Sequence, residues 1–197
     1  MKRREFIKAS AMVAGAMVAP KGALADSVLR VPMKAITIAK TSCGFEREPM
    51  VRPFGFKGGY LTEEWIVSAF VKSTSGKHGI GLGTQSCLWS DAKVFAANSE
   101  AGGNAIMFSM TQYALKLLVG KTFTSPVELN DWLWPQVWEY GKKVSANPDL
   151  RATYALNALV AVDNVLLLHI LSSTLIFHNF LKFLMDLKIY FVLLPFL

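Results

Sequence analysis

The apolar residues of this chain change their spacing once, and that change limits the possible folds more than any motif does. Before about residue 100 they recur two apart: Ile36 and Ile38 flank Thr37, and Trp65, Val67, Ala69 and Val71 alternate with other residues. A period of two is that of a strand with one buried face. Strands are therefore predicted over residues 28–40, 60–73 and 78–83, the third being glycine-rich. Ser75-Gly76-Lys77 supplies the turn that makes a hairpin of the last two. From Glu100 onward the spacing is helical, with Ile106, Met110, Ala114, Leu117 and Leu118 on one stripe ended by Gly120. Ser125-Pro126-Val127-Glu128 opens a second helix with an N-cap, a proline in the first turn and a capping-box glutamate; Leu129, Leu133, Val137 and Tyr140 form its apolar side. Asn147-Pro148-Asp149 is expected to cap a third, whose Ala155, Leu156, Leu159, Val160 and Val162 spread too widely for a surface helix. Strands followed by helices predict an α+β domain: a three-stranded antiparallel meander and then a three-helix bundle, rather than a doubly wound sheet.

Composition divides the chain into three pieces. Residues 1–25 carry five basic residues and one acidic, so the net charge of +7 falls to +3 over the remainder and no nucleic-acid partner is expected. That first piece reads as an export signal, with an uncharged run over residues 9–19 too short to span a bilayer and Ala23-Leu24-Ala25 as the cleavage site. Arg3-Arg4-Glu5-Phe6-Ile7-Lys8 matches the twin-arginine pattern, lacking only the Ser or Thr usual before the arginines. The mature protein is expected to begin near Asp26, in the periplasm or bacterial cell envelope. Residues 26–164 form the domain. The third piece, residues 165–197, has 23 apolar residues in 33 and neither Ala nor Gly. Two readings of this tail stand: a membrane anchor, or translation past a frameshift that truncated a longer enzyme, which the poor match to any helical or strand period favours.

Nucleotide motifs fail. Thr84 stands where the dinucleotide fingerprint needs a third glycine after Gly79 and Gly81, and Leu115 stands where a phosphate loop ending at Gly120-Lys121-Thr122 needs its first. His78, beside a turn, reads as exposed. Cys43 and Cys87, at the ends of the first and third predicted strands, would lie about 10 Å apart and read as free thiols. Glu63 and Glu64 face opposite sides of a strand, which makes joint acid/base work unfavourable. Trp132, Trp134 and Trp138 suit either a binding platform or packing.

Arg47-Glu48-Pro49, the run from Pro53-Phe54-Gly55-Phe56 to Lys57-Gly58-Gly59, and Gly81-Leu82-Gly83-Thr84-Gln85-Ser86 carry a resemblance. With the strand and helix order, and with Ala158-Leu159-Val160-Ala161-Val162-Asp163 in the third helix, they resemble the amino-terminal capping domain of the enolase superfamily, in exported relatives of its mandelate racemase and muconate-lactonizing branch. The likeness covers about residues 28–164. It implies that two cap loops, residues 43–60 and 85–95, close over a following barrel and help to choose the substrate. Arg47, Arg52 and Lys57 would then meet an anionic substrate between Phe54 and Phe56, and Gln85, Ser86, Trp89 and Ser90 would line the second loop. The alternative for each is a solvated or internally packed side chain.

In that family, barrel carboxylates hold Mg²⁺ while a Lys or His base removes the proton beside a substrate carboxylate. A barrel takes on the order of 200 residues, so this chain offers no positions for catalytic residues or metal ligands. Mg²⁺ and a small carboxylate substrate are expected only of the complete relative, a racemase, epimerase or dehydratase. The other reading is an exported or membrane-anchored ligand-binding module without catalysis. The oligomeric state is open.

Overall fold

A computed structural model describes residues 35–173. The leader with Arg3, Arg4, Ala23 and Ala25, the start of the first predicted strand, and the tail from residue 174 lie outside the described residues. Four strands and four helices follow one another as β1 (Ile36–Phe56), β2 (Gly59–Ser73), β3 (His78–Gln85), α1 (Cys87–Ser90), α2 (Ala92–Leu118), β4 (Thr122–Phe123), α3 (Pro126–Val144) and α4 (Ala152–Ser173). The sheet is antiparallel in the order β3-β2-β1-β4.

The α+β class is as expected, and β1, β2 and β3 form the meander. Two elements are added to the expected plan. Gly120, at φ 80, turns the chain after α2 and lays Thr122 and Phe123 beside Thr37 and Ile36 as a fourth strand. A two-residue strand is too short to show a period. The single turn of α1 makes the helices among the described residues four rather than three.

Residues 43–60, expected as a loop, are instead the outer half of β1 and a hairpin into β2. Since β4 pairs only with Ile36 and Thr37, the rest of β1 is a sheet edge, and an edge tolerates Pro49 and Pro53, which have no N–H to donate. Pairing is interrupted between Pro49 and Phe54 and then resumes, so within this stretch residues 50–53 leave the ladder before the turn at Lys57-Gly58.

Val67, Ala69 and Val71 of β2 are buried against Met107, Met110, Ala114 and Leu118 of α2 and Ala155, Ala158, Leu159 and Val162 of α4. Leu129, Leu133 and Val137 of α3 close the core. Ser125 caps α3 as expected, its hydroxyl accepting from the Glu128 N–H at 3.3 Å. Asn147 caps nothing: its side chain accepts from the Asp149 N–H at 3.1 Å within the turn, and α4 begins only at Ala152. Asp91 takes the capping role instead. Buried at 1% exposure, it accepts from the Lys93 N–H at the start of α2 and from the Arg151 N–H at the start of α4, at 3.0 and 3.1 Å.

Helix α4 lies along β3, the sheet edge opposite β4. Gly81 and Gly83 let it approach so closely that a Cβ on Gly81 would lie 2.2 Å from the Ala161 carbonyl oxygen. Two turns apart on α4, Asn157 and Asn164 donate to the Thr84 and Leu82 carbonyl oxygens at 3.0 and 2.7 Å, which occupies an edge otherwise open to strand addition. The helix passes the compositional break after residue 164 without interruption as far as Ser173, with Val165 and Leu166 buried. Among the described residues no helix is long and apolar enough to cross a membrane.

Candidate cleft at the hairpin tip

Three segments meet at one end of the domain: the β1–β2 hairpin tip, α1 and the first turns of α4. Lys57 and Gly58, at φ 48 and 80, form a two-residue turn of the kind that matches strand twist. Left-handed backbone is costly for a lysine. Lys57 extends to α1, where its Nζ donates to the Trp89 carbonyl oxygen at 3.0 Å, and the Phe56 and Trp89 rings stack with centroids 4.5 Å apart. Gly59 leaves room for Leu88 and Phe95, since a Cβ there would approach the Phe95 ring to 2.8 Å. Hairpin and α1 therefore form one wall.

The opposite wall comes from α4. Thr153, Leu156, Asn157 and Val160 follow the i, i+3, i+4, i+7 spacing of one helical face, and Arg151 precedes them. Between the walls is a cleft of about 500 Å³. Asn157 ties its floor together: its Oδ1 accepts from the Ser86 N–H at 3.1 Å and the Ser90 hydroxyl at 3.0 Å. The Thr153 hydroxyl donates to the Ser90 carbonyl oxygen at 2.9 Å.

Of the residues selected from sequence, Phe56, Lys57, Trp89 and Ser90 meet in this cleft. The other five do not. Arg47 pairs with Glu63 at 2.7 Å rather than with its neighbours Glu46 or Glu48, and lies 5.7 Å from the Trp65 ring centroid. Arg52 stands exposed in the unpaired stretch of β1. Phe54 flanks Phe56 at 6.2 Å without lining the cleft. Gln85 is buried in the core, donating to the Thr111 hydroxyl at 2.7 Å, and Ser86 serves through its backbone beneath the floor. Residues 85–95, expected as a loop, comprise the end of β3, α1 and the start of α2.

The α4 residues lie outside both expected loops and follow the hairpin by roughly a hundred positions, so loop sequence carries no trace of them. Their signal was present in the wide apolar spread of α4, which is two stripes: one faces the core and the other the cleft. Trp134 and Trp138 pack against the core, with the Trp138 indole N–H donating to the Leu150 carbonyl oxygen at 2.8 Å. Trp132 lies apart, under the Lys121 ammonium. Cys43 and Cys87 are free thiols. Burial pushes the Cys87 thiol up to about 12, which leaves it unreactive at neutral pH.

Two adjacent carboxylates of β2 titrate oppositely. Burial would raise Glu63, but hydrogen bonds from Arg47 and Trp65 and the Arg47 charge hold it below the usual range. Its contribution to stability is present at neutral pH and is lost as pH falls through that lowered value. Burial first, and then the charge of Glu100, raise Glu64. Ionised Glu64 therefore opposes folding at neutral pH, and acidification relieves it. Glu100 itself accepts from the Thr62 N–H and hydroxyl, just after the kink at Ser99 where φ is 64.

No cluster of three His, Cys, Asp or Glu side chains that could hold a metal ion occurs among the described residues. The described residues do not fit a Mg²⁺ site, and the cleft offers cations and apolar walls instead.

No protein-family model matches the chain, and no curated protein matches it. Solved structures similar to it include enolase-superfamily dehydratases, racemase-like proteins and epimerases. L-Talarate dehydratase from Polaromonas sp. JS666, solved with Mg and L-glucarate, matches at 18% identity and a TM-score of 0.42 over 66% of this chain and 31% of that one. L-Talarate/galactarate dehydratase from Salmonella typhimurium LT2 matches at 14% and 0.39, over 76% and 32%. The L-Ala-D/L-Glu epimerase from Bacillus subtilis matches at 15% and 0.37, over 66% and 30%. The chain spans about a third of the length of these proteins.

Proposed function

We propose that the chain belongs to the enolase superfamily as its amino-terminal cap, and that this cap shapes one side of the substrate pocket of a Mg²⁺-dependent racemase, epimerase or dehydratase acting on a carboxylate. The observation that carries this reading is the cleft, where the predicted Phe56, Lys57, Trp89 and Ser90 converge and two cations, Lys57 and Arg151, are among lining residues that include no carboxylate. The motif text from Arg47 to Ser86 supports the family. Trp89, 58% exposed, and Leu156, 45% exposed, leave the cleft's apolar rim uncovered, which suits a cap awaiting a second surface better than a self-contained binding module.

The cap by itself does not ionise a carbon acid. Proton abstraction beside a carboxylate needs a base and a metal held in fixed positions, and no cluster that could hold the metal occurs among the described residues. The purified chain, incubated with Mg²⁺ and hydroxycarboxylates in D₂O, is expected to leave the α-proton in place; Mg²⁺-dependent exchange would overturn the silent-cap reading. The nucleotide sequence beyond codon 164, read in the other two frames, is expected to encode barrel strands ending in Lys-x-Lys, Asp, Glu and Glu. Their absence removes the frameshift and favours the tail as an anchor.

Export by the twin-arginine route belongs to the same proposal. Replacing Arg3 and Arg4 together by Lys is expected to hold the precursor in the cytoplasm, and export at the normal rate sinks that part.

A further inference from the structure

We infer that the cleft selects a carboxylate with an apolar body, aryl or branched alkyl, over a polyhydroxylated acid, and that Arg151 rather than a hairpin arginine binds the carboxylate. This rests on the reading of the cleft as a carboxylate site and narrows it. A polyhydroxylated acid brings a hydroxyl on nearly every carbon, and each one taken from water needs a partner in the site.

Most neutral donors of the cleft are already engaged, and the Trp89 indole N–H and the second Asn157 amide proton are too few to meet a hydroxyl on every carbon. The Ser90 hydroxyl donates to Asn157, the Thr153 hydroxyl to the Ser90 carbonyl, and the Asn157 amide to the Thr84 carbonyl at 3.0 Å. Each of these bonds joins one element to another, so redirecting one toward a ligand would loosen the α4 wall. What remains for a ligand is mainly charge and apolar surface. Arg151 is exposed and its side chain makes no ion pair among the described residues, although Asp91 and Asp149 line a neighbouring depression with it, whereas Arg47 is held by Glu63. Its planar fork of donors matches a carboxylate with two parallel bonds. Lys57 keeps two ammonium protons after its bond to the Trp89 carbonyl. Phe56 and Trp89 on one side and Leu156 and Val160 on the other provide apolar walls, and about 500 Å³ between them holds a ring-sized body.

The test is a ligand-observed NMR titration of the full chain with 3-phenylpropionate, 3-phenylpropionamide and gluconate. The acid is expected to bind about tenfold more tightly than its amide, in keeping with the loss of a charge-assisted hydrogen bond, and gluconate no more tightly than the amide. Arg151→Gln should weaken 3-phenylpropionate by about the same factor with an unchanged far-UV spectrum, since the side chain is exposed. Trp89→Ala should weaken the aryl acid and leave gluconate unchanged. Gluconate binding as tightly as the aryl acid, with the same loss in Arg151→Gln, overturns the ligand class while the carboxylate site stands. Unchanged affinity in Arg151→Gln alongside a loss in Lys57→Gln overturns the role of Arg151 alone. If neither acid binds better than the amide, both the inference and the carboxylate reading of the cleft fall.

Discussion

Gly81→Ala is expected to destabilise the domain by about 3 kcal/mol or more and to lower Tm by on the order of 10 °C. The added methyl would lie 2.2 Å from the Ala161 carbonyl oxygen, 2.4 Å from the Val165 backbone nitrogen and 2.9 Å from the Val165 Cα. All three belong to the backbone of α4, so no rotamer change can move them away. The helix would have to lift from β3 along its length, which would also stretch the bonds from Asn157 and Asn164 to the strand edge. Gly76→Ala is the matched control. At φ 87 with no atom within 4 Å of its would-be Cβ, it meets only the left-handed backbone penalty, about 1 kcal/mol. Thermal melts of the two variants should therefore differ widely, and a Gly81→Ala melt as mild as that of Gly76→Ala would show that α4 does not press on β3 as described.

The second large effect is expected from Asp91→Ala, at about 2 to 3 kcal/mol, because one carboxylate serves as cap for two helices. The Lys93 N–H and the Arg151 N–H would lose their acceptor together, and at 1% exposure for Asp91 water does not readily replace it. Ser125→Ala removes a single exposed cap from α3 and sets the scale, at about 1 kcal/mol. Denaturant unfolding should place Asp91→Ala at roughly twice that loss or more. Asp91→Asn, which keeps one acceptor oxygen, should fall between them. Equal losses for Asp91→Ala and Ser125→Ala would mean that the contact with α4 contributes nothing. Since the same carboxylate fixes the start of α4, Asp91→Ala should also disturb the cleft wall that carries Arg151 and Thr153.

Spacing along the sequence was enough to determine the class. The change from alternation in β2 to the stripes of α2 and α3 required a sheet followed by helices, and the Ser125-Pro126 pair placed the start of α3 to the residue. The resemblance to cap loops singled out Phe56, Lys57, Trp89 and Ser90 of the cleft, while the turn at Lys57-Gly58 that carries two of their elements' contacts emerged only in the structure.

Tertiary structure decided the remainder, for a physical reason that runs through each case. A hydrophobic period reports that a face is buried and says nothing of what buries it. Gly81 and Gly83 read as a weak strand until α4 is laid across them; Gln85 reads as a loop donor until Thr111 is found opposite it in the core. The edge position that lets β1 run through Pro49 depends on β4, which comes from far along the chain and has two residues. Arg151 and Asn157 join Lys57 and Trp89 only because Asp91 and the β3 edge fix where α4 begins and how it lies. Those contacts link residues tens of positions apart, and no local pattern records their partners.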